Sequence, residues 1–272
     1  MDNVLFDEHG RRIPFDGMRV FNEVSSGYYK LNQPKFSFED ILSRSQEYSG
    51  VDQSITSKSF ETVCMNLKQG VVSEPSLEGL FHGIHVPFIC SETSDSSDLG
   101  TELEKTCLPS VAASFSAVFP ELHCRATLQG SSTKLSGELS VADGSRYERF
   151  IESQRKGVVA GWYFPQALQE YDIDSQRKQM GSLPLPNELV LSGAADTAAA
   201  LVGYPSLLIN EDDYPPVLCL SALEHTDEKL MLCFKAYGHH LEFWCMSQML
   251  TPEITQVSEQ WSGGLTLFGS IG

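Results

Sequence analysis

Between Leu122 and Val141 the chain alternates apolar and polar residues on two arms. Leu122, Cys124, Ala126 and Leu128 interleave with His123, Arg125 and Thr127; beyond Gly130-Ser131-Ser132, Leu135, Leu139 and Val141 interleave with Lys134, Ser136, Glu138 and Ser140. A period of two sends successive side chains to opposite faces of an extended strand, so each arm has one buried and one wet face. The Gly-Ser joint between them predicts a β-hairpin. Three further apolar runs, 217–223, 230–237 and 241–246, are separated only by short polar joints containing Thr226-Asp227-Glu228 and Gly238-His239. That spacing predicts an antiparallel meander and excludes an all-helical fold.

Helical signals flank these strands. Ser37-Phe38-Glu39-Asp40 offers a serine cap and acidic residues at the positive end of a helix that continues through Ile41 and Leu42. Phe60, Cys64 and Leu67 share one face of a second helix, 60–68, with Gly70 beyond its end. Residues 77–82 predict a third helix and 85–90 a strand, while the N-terminus reads as a small hairpin around His9-Gly10. Thr101–Glu104 has capping-box spacing. Pro109 ends that helix and opens another, with Val111, Phe115 and Val118 on one face and Pro120 closing it. Residues 188–210 read strand, tight turn, small-residue helix, strand; Trp162-Tyr163-Phe164 reads as a core strand ending at Pro165. Thr251-Pro252-Glu253 predicts a helix to about Trp261, stopped by Gly263-Gly264.

The expected fold class is α+β: an antiparallel sheet with flanking helices, preceded by a smaller, helix-leaning N-terminal region. The stretch SETSDSSDLGTELE, beginning at Ser91, buries too little apolar area to offset its ordering entropy. It divides the chain into an N-terminal region (1–90), an acidic Ser-rich loop or linker (91–105) and an α+β domain (106–272).

Charge narrows the function classes. Lys and Arg total 19 against 36 Asp and Glu, a net charge of −17. Nucleic-acid binding needs clustered cations, and docking on an anionic membrane needs the same, so neither is expected. The first 20 residues carry no secretory signal, and the longest apolar stretch, 189–208, is interrupted by Asp196, Gly203 and Pro205. The odd set of 7 cysteines has no CxxC spacing and reads as reduced, mostly core-filling thiols in a cytoplasmic protein.

Candidate chemistry is sparse. His82, His85 and Cys90 form the one compact group of metal-capable side chains, but their spacing matches no metal motif, so no metal is expected. His239 and Cys245 would lie about 20 Å apart on an extended strand and cannot form a dyad with each other. The turn at Ser192-Gly193 offers helix N-terminal amides to an anion, yet it lacks both the dinucleotide fingerprint and the P-loop, and no cofactor is expected. Leu191-Ser192-Gly193-Ala194 resembles the Leu-Ser-Gly-Cys element of bacterial glutamine-deamidating toxins. Ala194 stands where their nucleophilic cysteine would be, so the resemblance implies no nucleophile at that place. Glu211, Asp212, Asp213 and Tyr214, rigidified by Pro215-Pro216, are the candidate binding residues, suited to partner contact.

The sequence therefore points to an acidic protein-binding module, of the inhibitor or immunity type, that neutralises a basic protein partner. The alternative is a Cys/His-dependent enzyme, an effector-like amidase, deamidase or protease acting on protein substrates, with Cys90, Cys124, Cys219 and Cys245 as the thiols to test. A third reading, a component of a larger assembly, requires the Val111/Phe115/Val118 face to be exposed.

Overall fold

The computed structural model describes residues 4–94, 98–128, 134–184, 188–210, 212–237, 240–247 and 257–271. In chain order the elements are α1 (Phe38–Tyr48), α2 (Ser57–Val72), a 3-10 turn (Glu78–His82), β1 (Val86–Cys90), α3 (Leu99–Glu102), α4 (Leu108–Val118), β2 (Cys124–Leu128) and β3 (Leu139–Val141). There follow α5 (Tyr147–Gln154), β4 (Val159–Gln169), α6 (Ile173–Gln179), β5 (Leu189–Leu191), α7 (Ala194–Gly203), β6 (Val217–Cys219), β7 (Leu223–His225), β8 (Leu230–Tyr237), β9 (His240–Ser247) and β10 (Trp261–Ser270).

The fold is α+β. An eight-stranded sheet runs β1-β4-β10-β6-β8-β9-β2, with β5 also paired to β10, and β3 and β7 form a second, two-stranded sheet. The main sheet is mixed rather than purely antiparallel, because β10 pairs with β6, and β2 with β9, in parallel. Helices α1, α4 and α7 lie together over one part of it, α7 against β1 and α2 against β4 and β10. One apolar core runs from Leu5 and Phe6 through Phe88, Trp162 and Leu201 to Phe268, so side chains from 1–90 and from 106–272 pack in the same interior. No helix among the described residues is long and apolar enough to cross a membrane.

Several local expectations are met. Ser37 caps α1 through Asp40 N, and Phe6 bridges Arg12 around Gly10, whose φ of 73° the tight turn requires. β6, β8 and β9 form the expected antiparallel succession. Helix α2 departs from its expected bounds of 60–68: it starts at Ser57 and runs through Gly70, which does not take the positive φ of a helix-ending glycine, to Val72.

Other expectations are corrected. The arms of 122–141 do not pair as a hairpin: β2 lies parallel to β9, and β3 pairs antiparallel with β7. Alternation specifies a half-buried strand but not its neighbour. Asp98, not Thr101, caps α3, and a π turn over Leu103–Cys107 carries the chain into α4, placing Pro109 where its missing N–H costs nothing. β4 continues through Pro165 because the register with β10 shifts between Gly263 and Leu265, relieving the proline of a ladder bond.

Gly263 and Gly264 lie inside β10 and stop no helix. A Cβ at Gly263 would strike the Gln176 side chain, and one at Gly264 would strike Tyr163 and Ser192, so these glycines serve close approach. The segment 251–256, where that helix was expected to begin, lies outside the described residues. After α7 the chain turns through Tyr204–Ile209 without a second strand.

Candidate functional site

The acidic loop meets the N-terminal arm. Tyr29 bridges Tyr214 in parallel, and Lys30 N donates to the Tyr214 carbonyl at 3.0 Å. Polar side chains of β4 hold the arm from beneath. Gln166 and Gln169 donate to the Tyr29 carbonyl at 3.1 and 2.7 Å, and Leu31 N donates to Gln166 Oε1 at 2.9 Å. Upstream, Arg11 donates through Nε to the Gln169 carbonyl at 2.9 Å and pairs with Glu170 at 3.3 Å, both side chains being buried. Glu170 accepts from Ser26 N and Ser26 Oγ. An otherwise irregular segment is thereby fixed where it delivers Tyr28 and Tyr29.

Three rings converge there. Tyr28 and Tyr214 are stacked at 5.6 Å with planes 20° apart, Tyr28 meets Tyr29 edge-on at 4.9 Å, and Tyr29 lies 6.3 Å from Tyr214. Burial pushes the Tyr29 phenol upward, while Tyr28 and Tyr214 remain 53% and 63% exposed. Tyr29 and Tyr214, together with the end of β8, border an open groove of about 540 Å³, lined also by Asp212, Asp213, Lys235 and Tyr237. Tyr237 is 72% exposed, among the largest unburied apolar surfaces of the chain.

The groove's charges are unequal in state. Lys235 Nζ stands 3.6 Å over the Trp244 ring and 3.9 Å from Glu242, so its charge is already answered. Asp212 N donates to Asn210 Oδ1 at 3.0 Å and Asn210 Nδ2 donates to Asp213 at 3.4 Å, which shapes the turn. Among the described residues neither aspartate forms an ion pair. Of the sequence-derived candidates, Asp212, Asp213 and Tyr214 thus lie at one groove, and Glu211 lies outside the described residues. Tyr28, Tyr29, Lys235 and Tyr237 were not foreseen; the adjacent tyrosines at 28–29, in an otherwise polar stretch, were the available signal.

The remaining candidates are dispersed. His85 packs edge-on against Phe81 and Trp162, with Nδ1 2.8 Å from the Gly83 carbonyl, whereas Cys90 Sγ points to the Ala195 carbonyl. Burial lowers the His85 pKa. No group of three metal-capable side chains occurs among the described residues. His240 accepts a bond from His123 N at 3.0 Å and stacks on the His123 ring at 5.0 Å, and His239 lies outside the described residues.

Burial pushes every thiol up: Cys124 and Cys245 to about 11, Cys219 to about 12, and Cys64, Cys90, Cys107 and Cys233 well above the ordinary thiol value. The bonds that thiols donate go to carbonyls at Cys64, Cys90 and Cys219 and to Met246 at Cys233. Such thiols lack the electropositive surroundings that make a thiolate nucleophile.

The Ser192-Gly193 turn is closed to anions. Asp196 accepts from Gly193 N at 3.0 Å and from Tyr147 Oη at 2.8 Å, while Ala195 N donates to the same phenol at 3.2 Å. The helix end is thus occupied by the chain's own groups, and desolvation raises the Asp196 pKa. Cavities beside Cys107 measure about 20 and 40 Å³, enough for water but not for a substrate. Of the helix face Val111/Phe115/Val118, Val111 and Phe115 are fully buried and only Val118, 42% exposed, reaches the surface. Comparison with protein-family models, with curated proteins and with solved structures finds no match.

Proposed function

We propose that the protein binds a basic protein partner through the groove between the tyrosine cluster and β8, and acts as an inhibitor or immunity-type module. The observation that carries this reading is the convergence on one open groove of the exposed Tyr214 and Tyr237 with Asp212 and Asp213, which form no ion pair among the described residues. Tyrosine supplies large, amphipathic contact area at low entropic cost and is enriched where binding energy concentrates. A net charge of −17 attracts a cationic surface over distances comparable with the Debye length and speeds encounter.

The test is co-purification of the tagged full chain from its native source at low and at high salt, repeated with Tyr214→Ala and with Asp212→Asn/Asp213→Asn. A basic partner that weakens as salt rises, and is lost from both variants, is expected. A partner retained by both variants places the interface elsewhere and refutes the groove.

A further inference from the structure

We infer that the groove is built to seat an arginine side chain of its partner, lying flat on a tyrosine face with its guanidinium directed to Asp212 and Asp213. This deepens the binding reading above and rests on it.

Two properties of the groove select a cation. Tyr214 and Tyr237, which both line the groove, are 63% and 72% exposed, and an aromatic face carries the negative lobe of its quadrupole. Asp212 and Asp213 border the same space without an ion-pair partner among the described residues, and the groove's own cation, Lys235, is engaged by Glu242 and Trp244. An arriving positive charge meets two carboxylates that no cation among the described residues neutralises.

Ring spacing selects which cation. A compact ammonium held in a cage needs about 3.5–4 Å of clearance to each ring, so facing centroids must stand roughly 7–8 Å apart. Here the centroids lie 4.9, 5.6 and 6.3 Å apart, so the three rings touch one another and leave no cage. What remains for a cation is stacking on the exposed Tyr214 ring. A planar guanidinium stacks on such a surface while its edge presents several N–H donors to a carboxylate, and it sheds water more readily than an ammonium. Lysine can reach the carboxylates but cannot stack.

The test uses the full chain and three nine-residue Gly/Ser/Pro peptides that differ only at a central arginine, citrulline or lysine, with binding read by fluorescence anisotropy. Citrulline keeps the shape of arginine and removes the charge. The arginine peptide is expected to bind roughly tenfold more tightly than the citrulline peptide, with lysine between them. Tyr214→Leu and Asp212→Asn/Asp213→Asn are each expected to weaken the arginine peptide several-fold at unchanged melting temperature. Equal binding of arginine and citrulline, no binding of the arginine peptide, or full binding by both variants overturns the inference. The salt-sensitive partner separates the two readings. If groove variants lose that partner while arginine and citrulline peptides behave alike, only the arginine assignment falls; if they keep it, the groove itself is wrong.

Discussion

Asp196 is the most consequential polar side chain of the interior, and removing it has a calculable cost. Its carboxylate is fully buried and accepts from Gly193 N, Tyr147 Oη and Thr266 Oγ1. In Asp196→Ala, Thr266 keeps Ser192 at 2.7 Å, but no other acceptor serves Gly193 N or the Tyr147 hydroxyl proton among the described residues. Two buried donors left unsatisfied cost about 1–3 kcal/mol each, and relief from burying the carboxyl offsets part of that, giving roughly 3 kcal/mol. Asp196→Asn retains one acceptor oxygen and should cost about half as much.

The pH dependence has a fixed sign. Desolvation raises the folded pKa above the ordinary 3.8, so the folded state binds the proton more tightly than the unfolded one. The carboxyl therefore contributes most at and below that ordinary value and loses its contribution as pH rises through the folded value. The stability of wild type relative to Asp196→Asn is expected to be largest near pH 4 and to shrink toward pH 7.5, read by urea denaturation with unchanged m-values. A difference that grows with pH, or an alanine variant within 1 kcal/mol of wild type, refutes the assignment of that carboxyl to the helix end.

Replacing Arg11 by alanine leaves Glu170 buried without its cation and is expected to cost about 3–5 kcal/mol, with the arm around residues 20–30 newly sensitive to protease; adding Glu170→Gln should recover part of the melting temperature. Titration of the native protein with a thiol reagent at pH 7 should label Cys124 first and slowly, since it alone is not fully buried and its thiol is pushed up to about 11. A stoichiometric fast phase at any cysteine would restore the Cys/His enzyme as the better reading.

Local chemistry was readable from the sequence wherever the determinant was local. The cap at Ser37 and the strand expected at 85–90, observed at Val86–Cys90, depend on neighbours a few residues away, and they stand where expected. Pairing was not readable. The alternation of 124–128 is compatible with any neighbour that covers one face, and the strand took β9, more than a hundred residues later. Glycine misled for a related reason. Gly263-Gly264 has the composition of a helix stop, but its cause is Tyr163, Gln176 and Ser192 pressing on β10, which the local sequence does not contain. The candidate site divided in the same way. Tyr214 and the aspartates announced themselves as a rigid acidic turn, whereas Tyr28 and Tyr29 acquire meaning only once Gln166, Gln169 and Glu170 have fixed the arm.

That fixation bears directly on binding strength. An irregular arm that ordered only upon meeting its partner would spend about 1–2 kcal/mol per residue of backbone entropy at that moment. Here the cost is met during folding. Arg11 reaches the carbonyls of Asn22 and Glu23 as well as Glu170, and the β4 glutamines hold the next turn of chain. Tyr28 and Tyr29 are therefore delivered to Tyr214 on the same rigid sheet that carries Lys235 and Tyr237. The buried ion pair contributes little net stability of its own, since desolving both charges offsets most of their attraction. Its consequence is positional: it commits a polar, glycine-containing stretch to one path over the end of the sheet, and the groove exists only along that path.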